Sequence, residues 1–173
     1  MATWEFKDLM NLPVVSNAAA REVGKVHEVL FNPAANALYG LVLTPTEKDG
    51  PLLLVPQRGI RSIGKDAITI ESLHVAENFE DNVLAKEISK AGGHRSGMNV
   101  MTQSGESVGK IDKVTINDDG TVASYHSTTG LFGTKHDMEP SEVISGSADM
   151  LIIADNAREG AAPPAKTVVG PTL

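Results

Sequence analysis

The chain has 173 residues and a mass of 18.3 kDa, which allows one domain or two very small ones. Hydrophobic residues at 41% and charged ones at 21% exclude a disordered or collagen-like chain, and the absence of Cys excludes disulfides, thiolate zinc sites and a cysteine nucleophile. Fifteen Lys and Arg against 22 Asp and Glu leave a net charge of −7, which argues against a general grip on nucleic acid phosphates.

Sixteen Gly and nine Pro beside few aromatics point to many turns, short strands and an aliphatic core. The start, Met1-Ala2-Thr3-Trp4-Glu5-Phe6-Lys7-Asp8, lacks the basic and apolar stretches of a signal peptide, and no apolar run approaches the roughly 18 residues that span a bilayer. A cytoplasmic protein is expected. Val23 to Phe31 reads as a strand, Asn32-Pro33-Ala34-Ala35-Asn36 as a turn, and Ala37 to Leu43 as the returning strand. Leu52 to Val55, Pro56 and Ala67 to Ile70 follow as short strands and a break. Asn78 to Ala91 has Phe79, Val83, Leu84 and Ile88 at helical spacing, with Asn78 able to cap the start and Gly92-Gly93 to end it. That spacing predicts a helix of about three turns packed on a barrel by those four side chains.

The second half repeats the first. Arg21-Glu22-Val23-Gly24-Lys25-Val26-His27-Glu28-Val29 returns 85 residues later as Glu106-Ser107-Val108-Gly109-Lys110-Ile111-Asp112-Lys113-Val114. After one residue is lost in the next turn, Pro56 pairs with Pro140 and Ile60 with Ile144, and Asp66 to Ile70 ends against Asp149 to Ile153. The second turn, Asn117-Asp118-Asp119-Gly120, carries the Asp-Gly of a tight hairpin. Lys135 to Glu139, Pro140 and Met150 to Ile153 complete the copy. Gly24 and Gly109, near the start of each long strand, predict a bulge or bend. Five or six short strands in about 70 residues suit a small closed barrel. The expected organisation is a first repeat at 1–72, a helical linker at 73–95, a second repeat at 96–157 and a flexible tail at 158–173.

With Leu12-Pro13-Val14-Val15, the Val-Gly-Lys-Val strand start, Leu38-Tyr39-Gly40-Leu41-Val42-Leu43, the Val55-Pro56 step and Ile63-Gly64-Lys65-Asp66-Ala67-Ile68, the chain resembles the PRC-barrel family. That family is named for the cytoplasmic domain of the H subunit of photosynthetic reaction centres, and also ends a ribosome-maturation factor. The resemblance implies a mainly β fold of two tandem PRC-type barrels joined by a short α-helix. It also implies an assembly module without catalysis, close to the stand-alone bacterial members.

Candidate chemistry is sparse. The histidines are His27, His74, His94, His126 and His136, and none forms an HxH or HxxxH pair. Lys135-His136-Asp137 sets an imidazole beside a carboxylate, and His126 is expected across the hairpin, so His126, His136 and Asp137 form a candidate polar site. Asn117-Asp118-Asp119-Gly120 lacks acidic residues at the first and twelfth places of a calcium loop, and the two Gly-Lys pairs lack the rest of a phosphate loop. No cofactor, metal or catalytic residue is assigned.

The strands of the first repeat are apolar on both faces, whereas the second has Val122-Ala123-Ser124-Tyr125-His126-Ser127. A strand apolar on both sides is expected to be covered on both, so part of the first repeat's outer surface should meet the helix, the second barrel or another copy of the chain. Charge divides likewise, with −1 on residues 1–72 and −5 on residues 96–173. Leu41, Leu43 and Leu53, with Arg58 and Arg61, are therefore the expected interaction surface, for an unidentified protein partner or a second copy in a dimer. A small-ligand or nucleic-acid-binding barrel, using an inter-repeat cleft lined by Arg58, Arg61, His126 and His136, is the alternative.

Overall fold

The computed structural model describes residues 2–92, 97–130, 133–147 and 149–155. His94 and the predicted tail at 158–173 lie outside the described residues. The chain is mainly β, as its composition predicts. The first part contains β1 (Trp4–Glu5), α1 (Phe6–Leu9), β2 (Pro13–Ser16), β3 (Arg21–Asn32), β4 (Ala37–Pro45), β5 (Leu53–Pro56), β6 (Ile60–Ile63), β7 (Ile68–Ile70) and β8 (Glu77–Asn78). After α2 (Val83–Lys90) come β9 (Asn99–Thr102), β10 (Ser107–Ile116), β11 (Val122–Thr129), β12 (Thr134–Met138), β13 (Val143–Gly146) and β14 (Met150–Ile153).

Two sheets result, with the same plan. The first runs β6-β7-β2-β3-β4-β5-β8, and the second runs β13-β14-β9-β10-β11-β12. In each, the opening strand pairs parallel with the closing one, β2 with β7 and β9 with β14. Yet among the described residues β6 does not pair with β5, nor β13 with β12, so each sheet is a half-barrel with open edges and not closed as expected. Short 3-10 turns at Gln57–Gly59 and Pro140–Glu142 occupy matching places after β5 and β12. Pro140 therefore stands where Gln57 does and Val143 where Ile60 does, one residue off the expected pairing of Pro56 with Pro140 and Ile60 with Ile144. The chain start departs from the plan, because β1 pairs with β10 of the second sheet.

The predicted bulges are present. Register shifts fall beside Gly24, between Val14 and Val15, and beside Gly109, between Ser107 and Gly109. Each glycine lets a neighbouring strand come close: a Cβ on Gly24 would lie 2.7 Å from the Thr44 carbonyl oxygen, and one on Gly109 would lie 2.2 Å from that of Thr128. Thr44 and Thr128 hold corresponding places in β4 and β11, so the two copies share this crossing as well as its sequence.

One core joins the inner faces of both sheets. It includes Val26, Val29, Phe31, Leu41 and Leu43 from the first, and Val100, Ile111, Val114, Tyr125 and Leu151 from the second. Leu41 and Leu43 are fully buried there, and Leu53 packs against the same core, so these three do not form an outer surface. The reason is parity. Both faces of β4 are apolar, alternate residues take opposite faces, and the odd positions Leu41 and Leu43 turn inward.

The outer face belongs instead to Leu30, Val42 and Leu54, which make a second cluster with Phe79 and Ala85, flanked by Tyr39, Leu52 and Ile88. Covering of both faces is thus met by α2. Burying Phe79 alone contributes about 2 kcal/mol. Ser89 Oγ donates to Glu28 Oε1 at 2.7 Å, and Tyr39 donates to Asn82 Oδ1 at 3.2 Å, tying the helix to β3 and β4.

This helix is shorter than its apolar spacing predicts. Phe79–Asp81 is a 3-10 turn capped by Asn78, and Asn82 is extended and caps α2 through the Ala85 amide at 2.8 Å. The break at Asn82 resets the helical phase. Ala85 and Ile88 then face the sheet, while Val83 and Leu84 are 70% and 51% exposed, contrary to their expected packing.

Candidate functional site

Two constellations stand out, the junction between the repeats and a polar row on the second sheet. At the junction the turn after β3 ends at Asn36 (φ 53°) and the turn after β10 ends at Gly120 (φ +90°). Both are left-handed, a conformation that Asn and Gly tolerate best, and both N–H groups bond back three residues, to Pro33 O and Asn117 O. The Leu38 amide donates to Gly120 O and the Val122 amide donates to Asn36 O, each at 2.9 Å, around an antiparallel bridge between Ala37 and Thr121. Residues 36, 37 and 38 thus meet 120, 121 and 122, their own repeat equivalents. Such reciprocity is the signature of a two-fold interface, here made within one chain.

Each hairpin tip then grips the opposite barrel. The Ile63 amide donates to Asp118 O at 2.8 Å, and Gln57 Nε2 donates to Asp119 O at 2.8 Å. In the other direction Asn36 Nδ2 donates to Pro140 O at 3.3 Å, and the Pro33 carbonyl lies so near Gly146 that a Cβ there would approach its oxygen to 2.9 Å. Thr121 donates from its hydroxyl at 2.6 Å and from its amide at 3.0 Å to Asp119 Oδ1, which holds that carboxyl below the usual carboxylate range. Tyr125 donates to Asn36 Oδ1 at 2.6 Å from a fully buried ring.

Burial raises the Tyr125 phenol above its ordinary value. The folded state therefore holds this proton more tightly than the unfolded chain, whose phenol titrates near pH 10. Stability is expected to fall as pH rises past about 10, and Tyr125→Phe is expected to flatten that fall. Urea unfolding of both proteins from pH 8 to 11 tests this; parallel curves would refute it.

The polar row crosses the outer face of the second sheet. Register sets His126 opposite Asp137 on β12 and opposite Lys113 on β10. His126 Nδ1 is 2.7 Å from Asp137 Oδ1, its Nε2 is 2.9 Å from Ser124 Oγ, and Ser124 Oγ is 2.6 Å from Thr115 Oγ1. A Ser–His–Asp order of this kind is the one in which a hydroxyl passes its proton to an imidazole. It sits on an open sheet face, and β11 is paired on both sides, so its amides are directed into the ladder.

His136 is not part of the row. It stands opposite Ser127, whose side chain is buried, and its Nε2 is 3.3 Å from Thr129 Oγ1, because neighbours in a strand point to opposite faces. The expected trio thus resolves into His126 with Asp137, and Ser124 is the member that sequence reasoning missed. Its spacing of two from His126 was the available signal. Among the described residues no three His, Cys, Asp or Glu side chains cluster as a metal site needs.

Arg58 is exposed in the Gln57–Gly59 turn, and Arg61 pairs with Glu71 at 3.5 Å. His126 lies six residues along β11 from the Gly120 tip that meets Gln57, a strand run of about 20 Å. Direct hydrogen bonds fill the junction, so Arg58, Arg61, His126 and His136 do not line one inter-repeat cleft. An open cleft of about 330 Å³ lies instead on the first repeat, lined by Asn11, Glu22, Lys25, His27, Thr44 and Thr46 among others. Its lysine is paired with Glu22 at 3.7 Å.

Among the described residues no helix is long and apolar enough to cross a membrane. No curated protein matches the chain. The family model of the PRC-barrel domain matches residues 4–76. By this match residues 4–76 are a PRC-barrel domain.

Proposed function

We propose that the chain is a non-catalytic cytoplasmic protein-interaction or scaffolding module, in which the second repeat is a diverged copy of the PRC-type barrel. The observation that carries this reading is the reciprocal grip at the junction, where each hairpin tip hydrogen-bonds the backbone of the other barrel. A barrel surface that docks a second barrel in this way supports an assembly role. Arg58, exposed beside the Gln57 that takes part in the grip, and Leu84, exposed on α2, are available to a protein partner.

Affinity capture with the full chain from its native cell tests the proposal. A protein partner should be enriched, and the enrichment should drop at least tenfold with Arg58→Glu and Leu84→Glu combined. No enriched protein, or the same yield from the variant, would overturn the interaction reading. Turnover of an activated aryl ester that stops in Ser124→Ala would overturn the non-catalytic part.

A further inference from the structure

We infer that β12 is a self-association edge, through which two copies of this chain pair antiparallel about His136. The inference deepens the assembly reading above by naming a surface and an occupant. It starts from a second place, besides the pairing of β1 with β10, where the two sheets differ in plan. In the first sheet β5 is not an edge, because β8 pairs with it, Leu53 opposite Asn78 and Leu54 opposite Glu77. The helix α2 then lies over Leu30, Val42 and Leu54.

Register carries these positions onto the second sheet. Val42 faces Leu54 as His126 faces Asp137, so Leu53 and Leu54 correspond to His136 and Asp137. Among the described residues no strand pairs with the outer edge of β12. An edge of this kind presents unpaired N–H and C=O groups that template another strand.

The side chains of β12 say which strand fits. Lys135 and Asp137 stand on one face, with side chains 77% and 76% exposed. If Thr134-Lys135-His136-Asp137-Met138 pairs antiparallel with itself about His136, Lys135 of each copy lies opposite Asp137 of the other, twice. Opposite charges directly across a strand pair are stabilising and like charges destabilising, so the charges that guard this edge against an unlike strand complement one another in a second copy. A two-fold pairing also closes, so association stops at the dimer. The chain's own tail is a poor occupant, since residues 156–173 include Gly160, Pro163, Pro164, Gly170 and Pro171, residue types that weaken a strand or deny it a ladder hydrogen bond.

Sedimentation equilibrium of the full chain tests the inference, run from about 10 to about 500 µM because a single edge makes a small interface. The wild-type protein should dimerise. Lys135→Asp, which brings carboxylates face to face, should raise the dissociation constant at least tenfold, as should Asp137→Lys, which brings ammonium groups together. An equimolar mixture of these two variants should recover the dimer, because each then supplies the charge the other lacks. A wild-type monomer across the range, a dimer indifferent to Lys135→Asp, or a mixture that stays monomeric would each overturn the inference. Partner capture reads the scaffolding proposal separately, so failure of one is distinct from failure of the other.

Discussion

Gly109→Ala is expected to destabilise the protein by about 3 kcal/mol, the sum of backbone strain and a forced shift between strands. Gly109 has φ +106°, and a Cβ there would sit 2.2 Å from the Thr128 carbonyl oxygen and 2.6 Å from Thr129 Cγ2. Neither β11 nor the bulge can move without breaking the ladder that joins β10 to β11. Gly105 separates the two costs. It also has a positive φ, +96°, but its Cβ would meet nothing within 4 Å, so Gly105→Ala should cost about 1 kcal/mol. Urea midpoints of the two variants test the argument, and equal losses would show that the close approach contributes nothing.

Phe31→Ala is expected to cost about 3 to 5 kcal/mol, as large cavities in packed cores do. Phe31 is 2% exposed, and its ring centre lies 5.5 Å from that of Phe6 and 6.2 Å from that of Tyr125. One side chain therefore joins the N-terminal helix α1, the first barrel and the second. Both barrels share one core and are small enough that a single core is marginal. The variant should accordingly lose both together, in one urea transition at a lower midpoint. Two separated transitions, followed by tyrosine and tryptophan fluorescence, would show that the repeats are held independently.

Much of this fold could be read along the chain because its signals are local. Met150–Ile153 forms the strand expected there, the turn ending in Gly120 forms where Asp-Gly stands, and bulges fall beside Gly24 and Gly109. Each depends on what one or two residues do to backbone dihedrals. Parity in β4 was not local. With apolar residues on both faces, nothing in Leu38 to Leu43 says which set turns inward, and only the position of α2 assigns Val42 outward and Leu41 inward. Asn82 is a further case. Its capping strength was competing with an apolar spacing that ran through it, and the cap prevailed because its side chain also accepts from Tyr39, a contact between distant segments.

The candidate site divides the same way. His126 and Asp137 could be paired by counting along a hairpin, yet the separation of His136 follows from strand alternation, and the Ser124 contact depends on how β11 and β10 are aligned. Likewise Asn36 and Gly120 hold equivalent places at the two turns, but nothing within either turn says that the two meet each other.

By itself the sequence determined the recurrence of one motif series in both halves, the main hairpin strands, the turns and the PRC-type character of residues 4–76, since these rest on spacing and backbone preference. Only the tertiary structure decided which leucines line the core, how the hairpin tips interlock about a two-fold axis, and why the outer face of one barrel is covered while the equivalent row of the other is polar and open. Those outcomes come from side chains far apart in the chain competing for the same buried space, and that competition has no local signature.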